Sequence, residues 1–517
     1  MVSRFARTIC ASRVFFTYRF LQPSIRLASY AGMSYYGPPE YRCSHCKASF
    51  WYEERVQSAS SFKKRRIVYN LCCKGGKVHV PPFTKPPDYL KDLMKFDGNR
   101  RDKQFIQKIR QYNCLFAFTS MGATIDRSVN NSRGPPVFKI SGSVCHRMGS
   151  LLPKGAESPL RAINSGDSIP NPKFCELYVY DTNNEVQNRI RALNPDDKTS
   201  GQLDETIVNG LIHMLNIHNP LVQQFRAGRD RLQEHGDEEI AIRLIGPVDG
   251  DSPQFSLPTA NELAALIVGD FTVETSSRDI IVHDKESGLK QINSLHPAYM
   301  SLQYPLLFTY AERGFQLDIP YVGVPRARSI CDKMTMQDYY CYVTHYRLDQ
   351  SNPYLCYGLL SSQSVVDARA CIDEGRLWFI LKNQDTFRAD NMQGITDAVG
   401  NGCIDGSSLG KKTVLPSSHT GGRRYFLENF QDGLAICRVH GAPDIFTTFT
   451  CNPKWPEITE ALLSEPGQRP TDRADIVVRV YHMKLAEYIA DIRSGTTFGP
   501  VKAGTVCSIS FHAMFFY

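Results

Sequence analysis

The sequence predicts a multidomain α+β protein. Its 517 residues, of which 42% are apolar, are enough for two to four folding units at about 100–200 residues per domain. Near the C-terminal end a strand-like run, a helix-like run and a second strand-like run follow one another, which is typical of an α+β sheet. Since no apolar run approaches the roughly 20 residues of a membrane helix, we expect no membrane partner.

Charge and cysteine content narrow the class further. The net charge is +8, but residues 1–39 contain five arginines and no acid, so the remainder is close to neutral. Charge alone therefore predicts no nucleic-acid partner. The 16 cysteines are mostly scattered singly, unlike the dense framework of a small secreted domain, and this indicates a reducing compartment.

The first segment, residues 1–39, reads as an Arg-rich leader without stable structure. Its lack of acids is typical of a mitochondrial transit peptide, which makes the mitochondrion an alternative destination. The arginines nevertheless scatter around a helix instead of forming one basic face, so an unstructured leader is the preferred interpretation.

Three further segments follow: a Cys-containing head over 40–95, a mixed helical middle over 96–330 and a C-terminal unit over 331–517. In the middle, the apolar spacing over 202–232 predicts two helical segments separated at Pro220. Short helices are also expected over 259–268 and 335–347. His146 lies on a strand-like segment and is interpreted as structural.

The C-terminal unit has the clearest pattern. Residues 444–451 predict a strand, residues 472–493 a helix that Gly495 caps, and the alternation from Cys507 to Phe511 a second strand. This second strand runs into the end of the chain, where a sheet is not expected to stop. The sequence therefore predicts that the chain is truncated.

The head contains a pattern typical of zinc sites. Cys43 and Cys46 have the spacing with which two thiolates hold one tetrahedral Zn²⁺, and Cys72 and Cys73 follow after a charged spacer. Since adjacent cysteines rarely both bind one ion, the expected fourth ligand is His45 or His79. Ordinary buried thiols remain the alternative.

Other chemical motifs are weak. The basic run Lys63, Lys64, Arg65 and Arg66 could hold phosphates or serve as a nuclear address, although such a run is usually a solvated loop. The segment 406–413 has three residues between its glycines and a second lysine where a P-loop has Ser or Thr, so no ATP site is expected. No Gly-x-Ser-x-Gly elbow occurs.

Several segments together resemble the N-terminal, helicase-like part of Helitron transposon proteins, the rolling-circle transposases of plant genomes. They are the Cys43-x-x-Cys46 and Cys72-Cys73 pairs with Trp51, residues 142–153, Leu177–Asp181, His296–Tyr299 with Tyr304–Phe308, Leu415–Ser418 and, most specifically, 441–457. The resemblance implies that Phe446–Trp455 begins a replication-initiator-type nuclease with an antiparallel sheet, incomplete in this chain. It also implies a nuclear location.

The resemblance also implies that full-length members of the family have a catalytic site, and this sequence departs from the residue pattern of that site. Two histidines at i and i+2 on a strand would bind Mg²⁺ or Mn²⁺, and a helix-borne tyrosine would attack a DNA phosphate. Here Ser510 and Met514 flank His512 at that spacing, and Tyr517 ends the chain. We therefore expect no catalytic residues, and Mg²⁺ or Mn²⁺ only if a paired-histidine strand exists beyond this chain.

The sequence leaves three functional hypotheses. The first is a truncated, non-catalytic Helitron product with weak single-stranded DNA binding, to which four residues could contribute hydroxyls, an amide and an indole: Thr448, Thr450, Asn452 and Trp455. Sheet packing and a turn explain these four residues equally well. The second is an active metal-dependent single-stranded DNA nickase, which requires that the missing histidine strand and tyrosine lie in an extension of this chain. The third is a zinc-dependent interaction module.

Overall fold

The computed structural model describes most of the chain and divides it into two compact units. The described residues are 10–18, 34–60, 67–121, 124–125, 140–141, 145–154, 156–158, 161–162, 171–193, 203–234, 240–245, 264–268, 280–283, 289–323, 332–348, 350–384, 415–420, 422–495 and 498–510. The larger unit takes the described residues within 35–369 and 453–480, and the smaller unit takes those within 1–34, 370–452 and 481–511.

Helices supply most of the regular structure. They are α1 (Asp88–Leu93), α2 (Arg100–Phe116), α3 (Glu185–Leu193), α4 (Glu205–His218), α5 (Pro220–Glu234), α6 (Tyr299–Gln303), α7 (Met336–Val343), α8 (Leu359–Lys382), α9 (Arg423–His440), α10 (Pro456–Leu462) and α11 (Ala474–Ser494). The predicted break at Pro220 and the predicted helices over 335–347 and 472–493 are confirmed. In the described part of the chain, no helix has both the length and the apolar character needed to cross a bilayer.

The strands form small antiparallel sheets. They are β1 (Cys10–Tyr18), β2 (Tyr41–Arg42), β3 (Ser49–Phe50), β4 (Ser120–Met121), β5 (Thr124–Ile125), β6 (Ile140–Ser141), β7 (Cys145–Met148), β8 (Ala156–Ser158), β9 (Arg161–Ala162), β10 (Ile240–Leu244), β11 (Ala264–Val268), β12 (Ile280–His283), β13 (Lys290–Asn293), β14 (Ile445–Thr450) and β15 (Val501–Ser510). Three sheets have three strands, in the orders β14-β1-β15, β11-β10-β12 and β13-β7-β4. This architecture confirms the α+β prediction.

The larger unit builds its core from capped amphipathic helices and two of these sheets. Asn99 caps α2 by accepting hydrogen bonds from the Arg101 and Asp102 amides, and the Asp102 carboxylate accepts one from the Asn99 amide in return. The buried face of α2 contains Phe105, Ile106, Ile109, Tyr112 and Phe116. Helix α5 contacts β10 and β11, so its apolar side covers the sheet β11-β10-β12.

The smaller unit contains the sheet β14-β1-β15 and the C-terminal part of α11. One side of β14 packs on this helix: Phe449 stacks on Tyr488 with ring centroids 4.9 Å apart, and Ile445 packs with Ile492. At the helix end Gly495 adopts φ +74° and its amide donates to the Ile492 carbonyl, as expected of a glycine cap. The predicted strands on either side of this helix are confirmed.

Two sequence predictions differ from the structure. Residues 264–268 form strand β11 instead of the end of a helix over 259–268, because this short apolar run pairs with β10, Ile240 opposite Val268. Residues 10–18 of the leader form the central strand β1, with Phe16 paired to Ile445 and Tyr18 to Val501. The β-branched and aromatic residues over 14–18 favour a strand, a preference that the charge pattern of the leader conceals.

The two units also divide the chain differently from the sequence-based segments. The head over 40–95 lies in one compact unit with the middle segment and with residues 453–480. The described residues within 370–452 and 481–511 belong to the smaller unit. Sequence order therefore does not separate the units, because helices α8 and α11 each contain a unit boundary.

Candidate metal centre

Four cysteine thiols of the larger unit lie together. We call Cys43, Cys46, Cys72 and Cys73 the Cys cluster, and their Sγ atoms all lie within 4.8 Å of one another. The Cys43 and Cys73 sulfurs are 3.7 Å apart, and those of Cys46 and Cys72 are 3.4 Å apart. A tetrahedral zinc ion with Zn–S bonds of about 2.3 Å requires sulfurs about 3.8 Å apart. The separations therefore fit one tetrahedral ion.

The first cysteine pair lies in a tight hairpin. Strands β2 and β3 pair with Tyr41 opposite Phe50, and the Cys43 amide donates to the Ala48 carbonyl. Lys47 closes the loop with φ +63°, and its amide donates to the Cys43 carbonyl at 3.0 Å. The hairpin thereby brings the thiols of Cys43 and Cys46 to one side of the loop.

The second pair lies at the start of a 3₁₀ turn, Lys74–Gly76. The Gly76 amide donates to the Cys73 carbonyl at 3.0 Å and lies 3.3 Å from the Cys73 sulfur. Gly76 has φ +91°, and a Cβ atom there would lie 2.8 Å from His45 Nδ1, so this position requires glycine. Such a turn lets two adjacent cysteines direct both sulfurs into the same cluster.

This geometry agrees with the four cysteines as candidate ligands but not with the preferred set among them. Sequence reasoning preferred one of Cys72 and Cys73 together with His45 or His79, whereas both adjacent thiols are in the Cys cluster. Both histidines are exposed. Among the residues that the structure describes, the candidate ligand atoms that lie together here are the four cysteine sulfurs.

The thiols of the Cys cluster are electrostatically linked. Hydrogen bonds from Cys46 and Cys72 lower the pKa of the Cys43 thiol. Hydrogen bonding to Cys43 and Cys46, together with burial, raises the pKa of the Cys72 thiol. Because one ionised thiol discourages ionisation of the next, only a bound cation would bring all four to the thiolate form.

Arg347 supplies a positive charge beside the Cys cluster. Its Nε donates to the Cys46 carbonyl at 3.0 Å, and a terminal nitrogen lies 3.4 Å from the Cys46 sulfur. The other terminal nitrogen donates to the carbonyls of Tyr342 and His345. The side chain is 4% exposed, so its charge acts on the thiols with little screening. Arg347 is 301 residues from Cys46 in sequence, and nothing in the sequence indicates this contact.

His345 connects the same region to the helix α7. Its Nδ1 lies 2.5 Å from the Cys341 carbonyl and must donate to it, so Nε2 accepts from the Tyr69 hydroxyl at 2.7 Å. Burial, with repulsion from Arg479, lowers the pKa of His345 to about 3. The imidazole is therefore neutral and acts as a fixed link between the two chain segments.

A second buried polar group of the larger unit joins α8 to three segments that carry the family resemblance, those with His146, Tyr299 and Tyr304. Asp367 on α8 lies 3.1 Å from His146 Nε2 and accepts hydrogen bonds from the hydroxyls of Tyr299 and Tyr304. The His146 ring stacks on Tyr299 at 3.8 Å. His146 and Asp367 are buried, in agreement with the structural interpretation of His146.

The predicted DNA-contacting residues fall into separate groups. The basic run 63–66 lies outside the described residues, as do His512 and Tyr517. Thr448 and Thr450 lie on the exposed side of β14, and Asn452 is exposed just after it. Trp455 is partly buried and belongs to the other unit, at the start of α10.

Sequence reasoning did not identify Phe446 as a contact residue. This side chain lies on the same side of β14 as Thr448 and Thr450 and is 52% exposed. Neighbouring residues of a strand point to opposite faces. The predicted strand therefore already placed Phe446 on the face opposite Ile445, Thr447 and Phe449, and this was the signal that could have identified it.

The comparisons with known proteins identify the C-terminal region. Residues 339–509 match a family whose description is "Helitron helicase-like domain at N-terminus". None of the curated proteins compared with the chain matches it. The matched region includes Arg347, Asp367, α9, strand β14 and all but the last residue of β15. Residues 339–509 are thus similar to the Helitron helicase-like domain.

Proposed function

We propose that this Helitron-related protein binds one structural zinc ion in the Cys cluster and single-stranded DNA on the exposed face of β14. The observation that carries the zinc proposal is the convergence of four sulfurs within 4.8 Å of one another. Four sulfur ligands fill the coordination of zinc, which is typical of structural sites and leaves no position for substrate. In this role zinc would supply folding free energy.

The surroundings of the Cys cluster support a charged metal–thiolate group. Zn²⁺ with four thiolates carries a net charge of −2, which needs nearby donors when it is buried. Arg347 faces the Cys46 sulfur, and the Gly76 amide faces the Cys73 sulfur. These contacts would stabilise the thiolate form and orient two of the four ligands.

Metal analysis of the purified full chain tests the zinc proposal. We expect about one zinc per chain and less than a tenth of that in a Cys43→Ser/Cys46→Ser variant. Cys114→Ser is the matched control, because Cys114 is an exposed free cysteine on α2. If the double variant does not fold, cobalt substitution of the natural chain provides a second measurement. Absence of the absorption bands of tetrahedral cobalt–thiolate would then contradict the proposal.

The exposed face of β14 supports the DNA proposal. Phe446 offers an aromatic ring for base stacking, and the hydroxyls of Thr448 and Thr450 lie on the same side at alternate positions. The opposite side of the strand packs on α11 and is not available for binding. No cleavage is assigned to this sequence, since it contains no His-x-His pair.

Fluorescence anisotropy with a labelled 20-nucleotide oligo-dT tests this second proposal. Removing a stacking ring costs about 1–3 kcal/mol, so Phe446→Ala should weaken binding at least five-fold. Phe498→Ala, which removes another exposed aromatic ring of the smaller unit, should leave the affinity unchanged. Equal losses in both variants, or no binding by the natural chain at low salt, would contradict the proposal.

A further inference from the structure

Helix α9 of the smaller unit exposes an apolar surface that neither proposed activity uses. None of its residues is buried. We define the apolar stripe as Phe426, Leu427, Phe430 and Leu434, whose exposed fractions are 62%, 51%, 62% and 40%. A helix this exposed gains little from packing and would be stabilised by a partner along its length.

The apolar stripe follows a continuous line along the helix. Leu427, Phe430 and Leu434 are spaced by three and four residues, as on one face of an α-helix, and Phe426 adjoins them. The same spacing places Arg423 before Leu427 and Arg438 after Leu434. These two arginines are 15 residues apart, or about 22 Å along the helix axis.

The other side of α9 is different in character. Helix α9 contacts β15. Its half-buried residues Tyr425 and Ile436 lie away from the apolar stripe, whereas Gly433 and Cys437, which are also half-buried, lie along the Phe426 side of the stripe. The acids Glu428 and Asp432 lie with the exposed Val439 on a third side. The charges on the line of the apolar stripe are therefore both positive, one at each end.

This charge pattern points to the kind of partner. A second copy of the helix would bring arginine beside arginine in either direction, since a parallel pair opposes Arg423 to itself and an antiparallel pair opposes Arg423 to Arg438. A DNA strand would need cations along the path of its phosphates, whereas the stripe between the two arginines contains only apolar side chains. An acidic amphipathic helix satisfies both features.

The geometry points to α9 as the docking site for an amphipathic helix of a protein partner, one whose apolar face carries acidic residues at both ends, about 15 positions apart. Apolar side chains at i, i+4, i+7 and i+11 would pack against the apolar stripe, as in other helix-to-helix recognition. The acids would pair with Arg423 and Arg438 at the rim, where they set the direction and register of the partner.

Two designed peptides test this inference on the full chain. Both are labelled 21-residue helices with leucines at i, i+4, i+7 and i+11, and they end in either glutamates or lysines. We expect the glutamate-ended peptide to bind at least ten-fold more tightly by fluorescence anisotropy. An Arg423→Glu/Arg438→Glu variant should reverse that preference.

Substitutions on two sides of α9 complete the test. Phe430→Gln should weaken binding of the glutamate-ended peptide at least ten-fold, whereas Val439→Gln, at an even more exposed apolar residue off the stripe, should not. Both variants place a good helix former at an exposed position, and circular dichroism confirms that they fold.

Four results would overturn the inference. They are failure of the glutamate-ended peptide to bind, equal binding of the two peptides, loss of oligo-dT binding in Phe430→Gln, and a self-associating chain that Phe430→Gln converts to a monomer. The third result would assign the apolar stripe to nucleic acid, and the fourth to a second copy. The DNA proposal is tested separately at Phe446 on β14.

Discussion

Arg347 concentrates several interactions in one buried side chain. Its guanidinium donates to three backbone carbonyls, lies beside the Cys46 sulfur and stacks 3.9 Å from the centre of the Tyr342 ring. A lysine has the same charge but not the planar fork, so it cannot replace these contacts together. The residue therefore acts on the Cys cluster through geometry as well as through charge.

We predict that Arg347→Lys lowers zinc affinity 10- to 100-fold, as is usual for partners of metal ligands. The buried carbonyls that lose their donor should also reduce the free energy of unfolding by about 1–3 kcal/mol. Competition with a chromogenic chelator measures the first effect, and urea unfolding measures the second. Arg376→Lys is the control, because Arg376 is exposed and pairs at the surface with Asp373 at 3.6 Å. Equal effects in both variants would refute a specific role for Arg347.

The buried carboxyl group of Glu312 should make the stability of the folded protein depend on pH. Burial raises the pKa of its carboxyl to about 7, and among the described residues its Oε2 atom has no hydrogen-bond partner. The folded protein thus favours the protonated form, so this contribution to stability is present below pH 4.5 and is lost as the pH rises towards 7. By linkage the loss amounts to about 3 kcal/mol at pH 8.

Glu312→Gln should therefore be more stable than the natural chain at pH 8, by up to about 3 kcal/mol, and nearly equal to it at pH 4.5. Urea unfolding at the two pH values measures the difference. Glu234→Gln, at an exposed position near the end of α5, should show no such change. A Glu312→Gln variant that is less stable at pH 8 would show that the ionised carboxylate is stabilised in the fold.

At the scale of secondary-structure elements, Asp367 holds α8 to β7 and α6. It accepts hydrogen bonds from the Tyr299 and Tyr304 hydroxyls and contacts His146, and all four side chains are buried. Asp367→Ala removes the buried carboxylate that these three side chains contact and should cost about 3–5 kcal/mol. Asp367→Asn keeps an acceptor oxygen and should cost less. Calorimetric melting of both variants distinguishes the two, and equal losses would argue against this role.

The same elements show what the sequence could predict. Helices α4, α5 and α11 and strand β14 have a local apolar period, and each is predicted close to its observed bounds. Strand β11 has no such period, because a buried five-residue run reads equally as helix or strand. Strand β1 lies in a segment whose charge suggests a leader, and its place between β14 and β15 depends on pairings with residues over 400 positions away.

The candidate site is predictable to a similar extent. The spacing of Cys43 and Cys46 by itself indicates a pair of metal ligands. That both Cys72 and Cys73 join them depends on the turn at Gly76, whose left-handed conformation no spacing rule for cysteines reveals. Arg347 and Asp367 have no local signal, since each acts on residues that are distant in sequence. Local patterns thus predict elements and short ligand pairs, whereas the contacts that join them require the fold.

At the scale of the larger unit, the Cys cluster is joined to distant parts of the chain. The Ser49 amide donates to the Tyr346 carbonyl at 2.9 Å, and the Ser49 carbonyl accepts from Arg479 on α11 at 3.0 Å. Arg479 also forms an ion pair with Glu54, and both side chains are mostly buried. A metal ion in the Cys cluster would therefore stabilise segments that contribute no ligand.

Removal of zinc by a chelator should consequently increase amide hydrogen exchange over residues 339–347 and 474–480 as well as over 41–50 and 70–78. The expected reason is that the hairpin with Ser49 loosens, so its contacts with Tyr346 and Arg479 open with it. Exchange over α4 and α5, in the same unit, should change little and provides the internal control. If the increase were confined to the two cysteine segments, the head would be an independent module, and the hydrogen bonds to residues 346 and 479 would contribute little to holding the larger unit together.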